Sequence, residues 1–209
     1  MNILGVQIRL SKDIMQAERD QFNRVVPNIE WYNIFDDELP SLDKYDAVLI
    51  GGSGKVSLSK KDENAVYAMK TVHNLLDNVG GKRVVGVCLG YHLIGQYHGS
   101  TVVQDPRYAE TGTITLRHNL QGVPSPVLIQ CGHNDSLDKL PDGAELLATG
   151  DVYPLQMFRI GNMYAIQAHP DMSKTDLEER LQHFPQYADA LSNLQESPDA
   201  GLLLQYCFR

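Results

Sequence analysis

The sequence has few cysteines, few aromatic residues and few positive charges. Its 209 residues include 3 cysteines and 1 tryptophan, and 18 lysines and arginines face 26 aspartates and glutamates, for a net charge of −8. Cys88, Cys131 and Cys207 are odd in number and widely spaced, so they indicate neither a disulfide scaffold nor a zinc site with paired ligands. The negative charge opposes contact with nucleic-acid phosphates and anionic membrane surfaces. We therefore expect a protein of the reducing cytoplasm that binds neither nucleic acid nor membrane.

Long apolar runs are also missing. No segment approaches the roughly 20 apolar residues that a membrane-spanning helix needs. The apolar start at residues 1–7 is too short and too uncharged for a secretory signal. The chain length suits one well-buried core, so we expect a single domain over residues 1–209.

The first half of the chain alternates apolar runs with amphipathic segments. Apolar runs at residues 3–8, 29–35 and 45–50 predict buried strands, and residues 13–25 and 62–76 follow the helical period. This alternation predicts a parallel sheet covered by helices on both faces.

After Thr101 the chain changes to short strands separated by Gly, Pro, Asn and Asp. Strands so closely spaced predict an antiparallel section added to one edge of the parallel sheet. The predicted strands are residues 111–116, 126–130, 144–148, 155–160 and 163–167.

The stretch around Cys88 predicts a reactive cysteine. An apolar run leads into Gly86-Val87-Cys88-Leu89-Gly90, and residues 89–97 can continue as a helix. In such a corner the glycines let strand and helix approach closely, while the central side chain projects at the helix N-terminus. The helix dipole there favours the thiolate, which is the nucleophilic form. The alternative is a small residue that only fills the corner.

A second glycine-rich turn follows the third predicted strand. Gly51-Gly52-Ser53-Gly54-Lys55 lacks the glycine, lysine and hydroxyl spacing of a phosphate-binding loop. Backbone N–H groups at the carboxyl end of a parallel strand suit an oxyanion hole or a carboxylate site instead. A flexible turn is the alternative.

A nucleophilic cysteine needs a histidine, and His169 is the strongest of the seven candidates. It closes the last apolar strand, where side chains project into the crevice at the sheet's carboxyl edge, and Pro170 stiffens the turn that brings Asp171 beside it. His92 is a rival. It follows Cys88 by four residues, on the same helix face, and could line the pocket or act as the base.

The segment Cys131-Gly132-His133-Asn134-Asp135 has a superficial likeness to a metal-ligand cluster. A thiolate and an imidazole two residues apart, with nothing comparable elsewhere, are weak evidence for a metal. We expect this segment to be a loop at the rim of the site.

Two motifs together resemble a known family. Gly86-Val87-Cys88-Leu89-Gly90 and Gln167-Ala168-His169-Pro170-Asp171 are similar to those of the class I (triad) glutamine amidotransferases, in particular stand-alone proteins similar to the glutaminase part of GMP synthase. The resemblance extends to residues 50–54, 131–135 and 140–144 and ends near Pro185. It implies a flavodoxin-like α/β fold: a parallel central sheet flanked by helices, with an added antiparallel section.

Carried over by position, the resemblance implies that Cys88 attacks a γ-carboxamide, that His169 moves the proton and that Asp171 orients His169. The products would be glutamate and ammonia, and no metal or organic cofactor is implied. The implied substrate and oxyanion residues are Gly51, Gly52, Ser53, Leu89 and His92.

Three positions depart from the family pattern. The family usually has Glu where Asp171 stands, Gln where His92 stands and Pro where Ser53 stands. The shorter acid bears on the rate, and His92 bears on the identity of the substrate.

Three functions fit these residues. The first is a glutaminase that acts on glutamine or a related γ-glutamyl amide and supplies ammonia to a synthetase partner in trans. The second is a γ-glutamyl peptide or γ-glutamyl amine hydrolase, because a site built around one polar group strongly rejects substrates that lack it. The third is a non-catalytic binding module on the same fold.

Overall fold

The computed structural model describes residues 1–36 and 38–209. The strands are β1 (Ile3–Gln7), β2 (Ile29–Asn33), β3 (Ala47–Ile50), β4 (Arg83–Val87), β5 (Val102–Gln104), β6 (Glu110–His118), β7 (Val127–His133), β8 (Asp135–Leu137), β9 (Glu145–Thr149), β10 (Met157–Ile160) and β11 (Met163–Ile166). The helices are α1 (Lys12–Val25), α2 (Glu63–Asn78), α3 (Leu89–Tyr97), α4 (Lys174–Leu181), α5 (Ala188–Ser192) and α6 (Ala200–Cys207). Within the described ranges, none of these helices is long and apolar enough to cross a membrane.

One large sheet organises the chain. Its nine strands run in the order β2-β1-β3-β4-β11-β10-β9-β6-β7. Neighbours from β2 to β11 pair parallel, and neighbours from β11 to β7 pair antiparallel. The β2-β1-β3-β4 order is that of flavodoxin-like folds, in which ligands bind outside the carboxyl ends of the strands. The predicted α/β architecture with an antiparallel extension is confirmed.

The central parallel strands are largely apolar because helices cover both of their faces. Every residue of β1 and β3 is buried. On α2 the buried residues recur at helical spacing, so one stripe of the helix packs on the sheet. On the other face, Phe22 of α1 and Leu203 of α6 are fully buried. Burying one such side chain contributes about 1.5–3 kcal/mol.

Three details differ from the sequence predictions. β11 pairs parallel with β4 on one side, so the parallel section is one strand larger than expected. Residues 131–133 belong to β7 and Asp135 begins β8, so the expectation of a rim loop there was wrong. β5 and β8 form a separate two-stranded sheet. Their strands have only three residues each, which is too short for a visible period.

Candidate active site

Cys88 lies at the corner between β4 and α3. It is the single residue between Val87, which ends the strand, and Leu89, which begins the helix. Its backbone has φ 55° and ψ −102°, a left-handed conformation that costs a non-glycine residue about 1–3 kcal/mol. The Cys88 N–H donates to the Ile166 carbonyl at 2.9 Å, which ties the corner to β11. The elbow predicted from the sequence is therefore present.

Two glycines make this corner possible. A Cβ at Gly86 would lie 2.4 Å from the Gly90 carbonyl oxygen, and a Cβ at Gly90 would lie 2.3 Å from the Ile50 carbonyl oxygen. Real Cβ atoms do not approach backbone this closely, so any other residue would push helix and strands apart. The N-terminus of α3 thus rests directly on β3 and β4.

His169 lies just beyond β11 at the carboxyl edge of the sheet. Its backbone N–H donates to the Gln130 carbonyl at 2.8 Å, which fixes this turn against β7. Its Nδ1 is 3.2 Å from Asp171 Oδ1. Both side chains are buried, with His169 and Asp171 each 3% exposed. The carboxylate therefore holds the Nδ1 edge of the imidazole in place.

Cys88 and His169 border the same small space. A Cβ at Gly52 would lie 3.2 Å from His169 Cε1, 3.4 Å from Cys88 Cβ and 3.7 Å from Cys88 Sγ. The absence of a side chain at Gly52 keeps this space open beside the sulfur and the imidazole. The structure thus brings Cys88, His169 and Asp171 together with the glycine-rich turn.

The charges of these groups support one another. Burial alone would raise the pKa of Cys88, but the charge and hydrogen bonding of His169, together with the charges of Arg9 and Arg180, outweigh burial and lower it. Burial alone would lower the pKa of His169, yet the Asp171 and Cys88 charges raise it to about 9. Burial would raise the pKa of Asp171, and the His169 charge lowers it instead. Together these three pKa shifts favour a Cys88 thiolate and a His169 imidazolium, with the Asp171 carboxylate behind the imidazolium.

Backbone N–H groups of the glycine-rich turn and of the start of α3 lie next to the corner that holds Cys88. The Ser53 hydroxyl accepts from the Val56 N–H at 3.1 Å, and the Gly90 N–H donates to the Gly51 carbonyl at 3.2 Å, so the turn is held in place. Within residues 1–36 and 38–209, no acceptor is bonded to the backbone N–H groups of Gly52, Ser53 and Leu89. Such free donors beside a nucleophile can bind a developing oxyanion.

A buried ion pair lies under the glycine-rich turn, and sequence reasoning missed it. An Arg9 guanidinium nitrogen donates to Glu18 Oε1 at 2.8 Å, and Gln7 Nε2 donates to Glu18 Oε2 at 2.9 Å. A Cβ at Gly51 would lie 2.7 Å from Glu18 Oε1. The available signal was spacing: Glu18 falls three residues after buried Met15, on the apolar side of α1.

His92 lies one turn after Cys88, and its N–H donates to the Cys88 carbonyl at 3.2 Å. Its side chain is only 3% exposed. Burial and the charge of His133 lower the pKa of His92 to about 4, while Asp135 opposes the shift. His92 is thus a buried, neutral imidazole whose charged neighbours are His133 at the end of β7 and Asp135 at the start of β8. The charge with the largest effect on the pKa of Cys88 is that of His169.

Among the residues that the structure describes, Glu110, Cys131 and His133 are the ones best placed to hold a metal. Their ligand atoms lie within 4.8 Å of one another, and all three side chains are buried. Hydrogen bonds account for the arrangement, because Glu110 Oε2 accepts from Gln156 Nε2 at 2.5 Å and lies 3.3 Å from His133 Nε2. Burial and the nearby charge of Glu110 raise the pKa of Cys131 well above its usual range, so this thiol stays protonated.

Comparison with known proteins gives three kinds of similarity. The glutamine amidotransferase class-I family model matches residues 15–184. Gamma-glutamyl peptidase 3 of Arabidopsis thaliana is 28% identical over 84% of this chain and 79% of its own length. The GMP synthase (glutamine-hydrolyzing) of Clostridium botulinum is 26% identical over 77% of this chain, which spans only 31% of that enzyme. The crystal structure of a Thermotoga maritima glutamine amidotransferase matches with TM-score 0.73 over 100% of this chain and 96% of its own, at 16% identity.

Proposed function

The chain belongs to the class I glutamine amidotransferase family, and on this premise we propose that it hydrolyses the amide bond of a γ-glutamyl compound through a thioester on Cys88. The observation that carries the proposal is the placement of Cys88 and His169 around one open space, with Asp171 behind the imidazole. The pKa of Cys88 is lowered despite burial, and the charge of His169 is the first of the groups that lower it, which supports the same roles.

The first half of the reaction forms the thioester. The Cys88 thiolate attacks the γ-carbonyl carbon, and the N–H groups of Leu89 and of Gly52 or Ser53 bind the resulting oxyanion. Protonated His169 donates its proton to the leaving nitrogen, the C–N bond breaks, and ammonia or an amine departs.

The second half restores the enzyme. Neutral His169 takes a proton from water as that water attacks the thioester carbon. The C–S bond then breaks, so glutamate leaves and the thiolate reforms next to the imidazolium. Asp171 holds His169 in the tautomer and orientation that both steps need. Neither half requires a cofactor.

The test compares single substitutions on the purified chain. Cys88→Ala should abolish the release of glutamate from glutamine and from γ-glutamyl peptides. Cys207→Ala is the matched control, because Cys207 is buried in the core and its Sγ donates to the Leu203 carbonyl at 3.3 Å. Retention of activity by Cys88→Ala would contradict the proposal. An inactive native protein whose Cys88 is alkylated no faster than an ordinary thiol would favour the non-catalytic binding module.

A γ-glutamyl peptide or γ-glutamyl amine is a second candidate substrate. Two observations favour it: His92 occupies the place where the family usually has Gln, and gamma-glutamyl peptidase 3 is 28% identical over 84% of this chain. Glutamine with transfer of ammonia to a synthetase in trans is the alternative. The ratio of kcat/KM for glutamine, γ-glutamyl dipeptides and γ-glutamyl amines decides between them, and a clear preference for glutamine would rule out the peptide.

A further inference from the structure

Asp135 is a buried carboxylate that holds the segment after the glycine-rich turn. The Ser57 hydroxyl donates to its Oδ2 at 2.8 Å, and the Ser59 hydroxyl donates to its Oδ1 at 2.6 Å. The Ser59 backbone N–H also donates to Oδ2, at 3.4 Å. Asp135 is 7% exposed. Among the described residues, these two serines supply all the hydrogen bonds that its carboxylate accepts. We call residues 56–59 the serine segment.

The serine segment is tied directly to the glycine-rich turn. The Ser53 hydroxyl, which belongs to that turn, accepts from the Val56 N–H at 3.1 Å. Only two residues of the chain separate Ser53 from Val56, so a movement of the serine segment also moves the turn. The side chains of Val56 and Leu58 are buried in the core. The segment is therefore anchored twice, by its apolar side chains and by Asp135.

The strand that carries Asp135 also supports α3. β8 packs on this helix so closely that a Cβ at Gly95 would lie 2.4 Å from Leu137 Cδ1. α3 begins with Leu89, whose N–H is one of the proposed oxyanion donors. β8 therefore contacts both parts of the chain that supply these donors. It reaches α3 through Leu137 and the glycine-rich turn through Asp135 and the serine segment.

We propose that Asp135 is a positioning residue that sets the distance between the glycine-rich turn and Cys88. The turn lies within contact distance of the sulfur, since a Cβ at Gly52 would lie 3.7 Å from Cys88 Sγ. Hydrogen bonds to an ionised acceptor are about twice as strong as neutral ones, so a carboxylate holds the serine segment more firmly than an amide can. The N–H groups of Gly52 and Ser53 then stay where the oxyanion forms. The inference rests on the proposed function.

The test measures turnover and cysteine reactivity separately. Asp135→Asn keeps the shape of the side chain but replaces one acceptor oxygen with a donor, so one serine hydroxyl loses its bond. We expect kcat for glutamate release to fall about 10- to 100-fold, because the displaced donors act on the transition state. KM should stay unchanged for the same reason. The rate of Cys88 alkylation by iodoacetamide should also stay unchanged, since that displacement forms no oxyanion.

Asp138→Asn is the matched control. Asp138 directly follows β8, and its Oδ1 accepts from the Thr101 N–H at 2.7 Å, so this carboxylate holds the residue before β5 and not the serine segment. Its kcat should match that of the native chain. Thermal unfolding checks each variant.

Ser59→Ala removes a donor instead of the acceptor, and it carries the test if Asp135→Asn does not fold. The double variant Asp135→Asn/Ser59→Ala should lose less kcat than the product of the two single losses, because both changes act on one contact.

Three outcomes would overturn the inference. An equal fall in kcat and in the alkylation rate would mean that Asp135 supports the whole site and not the turn. Single losses that multiply in the double variant would mean that Asp135 acts through another contact. A native kcat in Asp135→Asn would mean that the turn keeps its place without the carboxylate, while the proposed hydrolysis would stand. An inactive native chain would refute the proposed function and this inference with it.

Discussion

Filling the space beside Gly52 is the sharpest test of the candidate site. In Gly52→Ala the new methyl group would stand 3.2 Å from His169 Cε1 and 3.4 Å from Cys88 Cβ. The first distance is tighter than ordinary contact by a few tenths of an ångström and the second lies at its lower limit, so a small shift of His169 can accommodate the methyl group. The expected loss of stability is about 1 kcal/mol, or about 2–4 °C in Tm for a chain of this size.

The expected loss of activity is much larger. The methyl group would take the place that a γ-carbonyl needs beside the sulfur, and a misplacement of reacting groups by about 1 Å can cost about 100-fold in rate. The assay compares glutamate release and Tm of Gly52→Ala with those of Gly81→Ala, because a Cβ at Gly81 meets nothing within 4 Å. Full activity of Gly52→Ala at an unchanged Tm would refute the assignment of this space to the reacting carbonyl.

Four further predictions follow from the charges and close contacts of the site. Alkylation of Cys88 should reach its plateau below the pKa of about 8.5 of an ordinary thiol, and hydrolysis should decline above about pH 9 as His169 loses the proton that the leaving nitrogen needs. The raised pKa of His169 should stabilise the fold fully below pH 6.5 and cease to do so as pH rises through about 9, which denaturant titrations across this range would measure. Asp171→Asn should lower kcat by about 10²–10⁴-fold and shift the alkaline limb of the pH profile downward, whereas Asp171→Glu should keep that limb; identical profiles for both variants would argue against an orienting carboxylate. Gly90→Ala should lower the free energy of unfolding by about 3 kcal/mol, because its Cβ would meet the Ile50 carbonyl oxygen at 2.3 Å, and a denaturation midpoint equal to that of Gly81→Ala would contradict the close helix–strand contact.

The parts of the site that the sequence could predict have local signals. The bounds of α3 agree with the prediction, because the apolar run, the flanking glycines and the helical period all lie within about 15 residues. His169 could be predicted because it ends an apolar strand, and the parallel topology brings the ends of β4 and β11 together.

The remaining parts depend on contacts between distant segments. Nothing local to Arg9 or Glu18 indicates that the segment after β1 and helix α1 bring these two side chains together under the glycine-rich turn. The short pairing of β5 with β8 is decided by the surrounding packing and not by its own residues. The four-residue spacing from Cys88 predicts which face of α3 carries His92, but it does not predict how deeply the side chain is buried. Its depth of burial depends on β8, which packs against α3 and is distant from it in the sequence.

The position of β1 in the sheet determines how far the chain can be shortened. β1 lies between β2 and β3 and hydrogen-bonds to both, yet it precedes the segment that the family shares. α6, which follows that segment, seals one side of the interior with Leu203 and Leu204. A fragment limited to residues 15–184 would lack β1 from the interior of its sheet and would expose the apolar surface that α6 covers. A shortened form of the chain made for expression should therefore keep both β1 and α6.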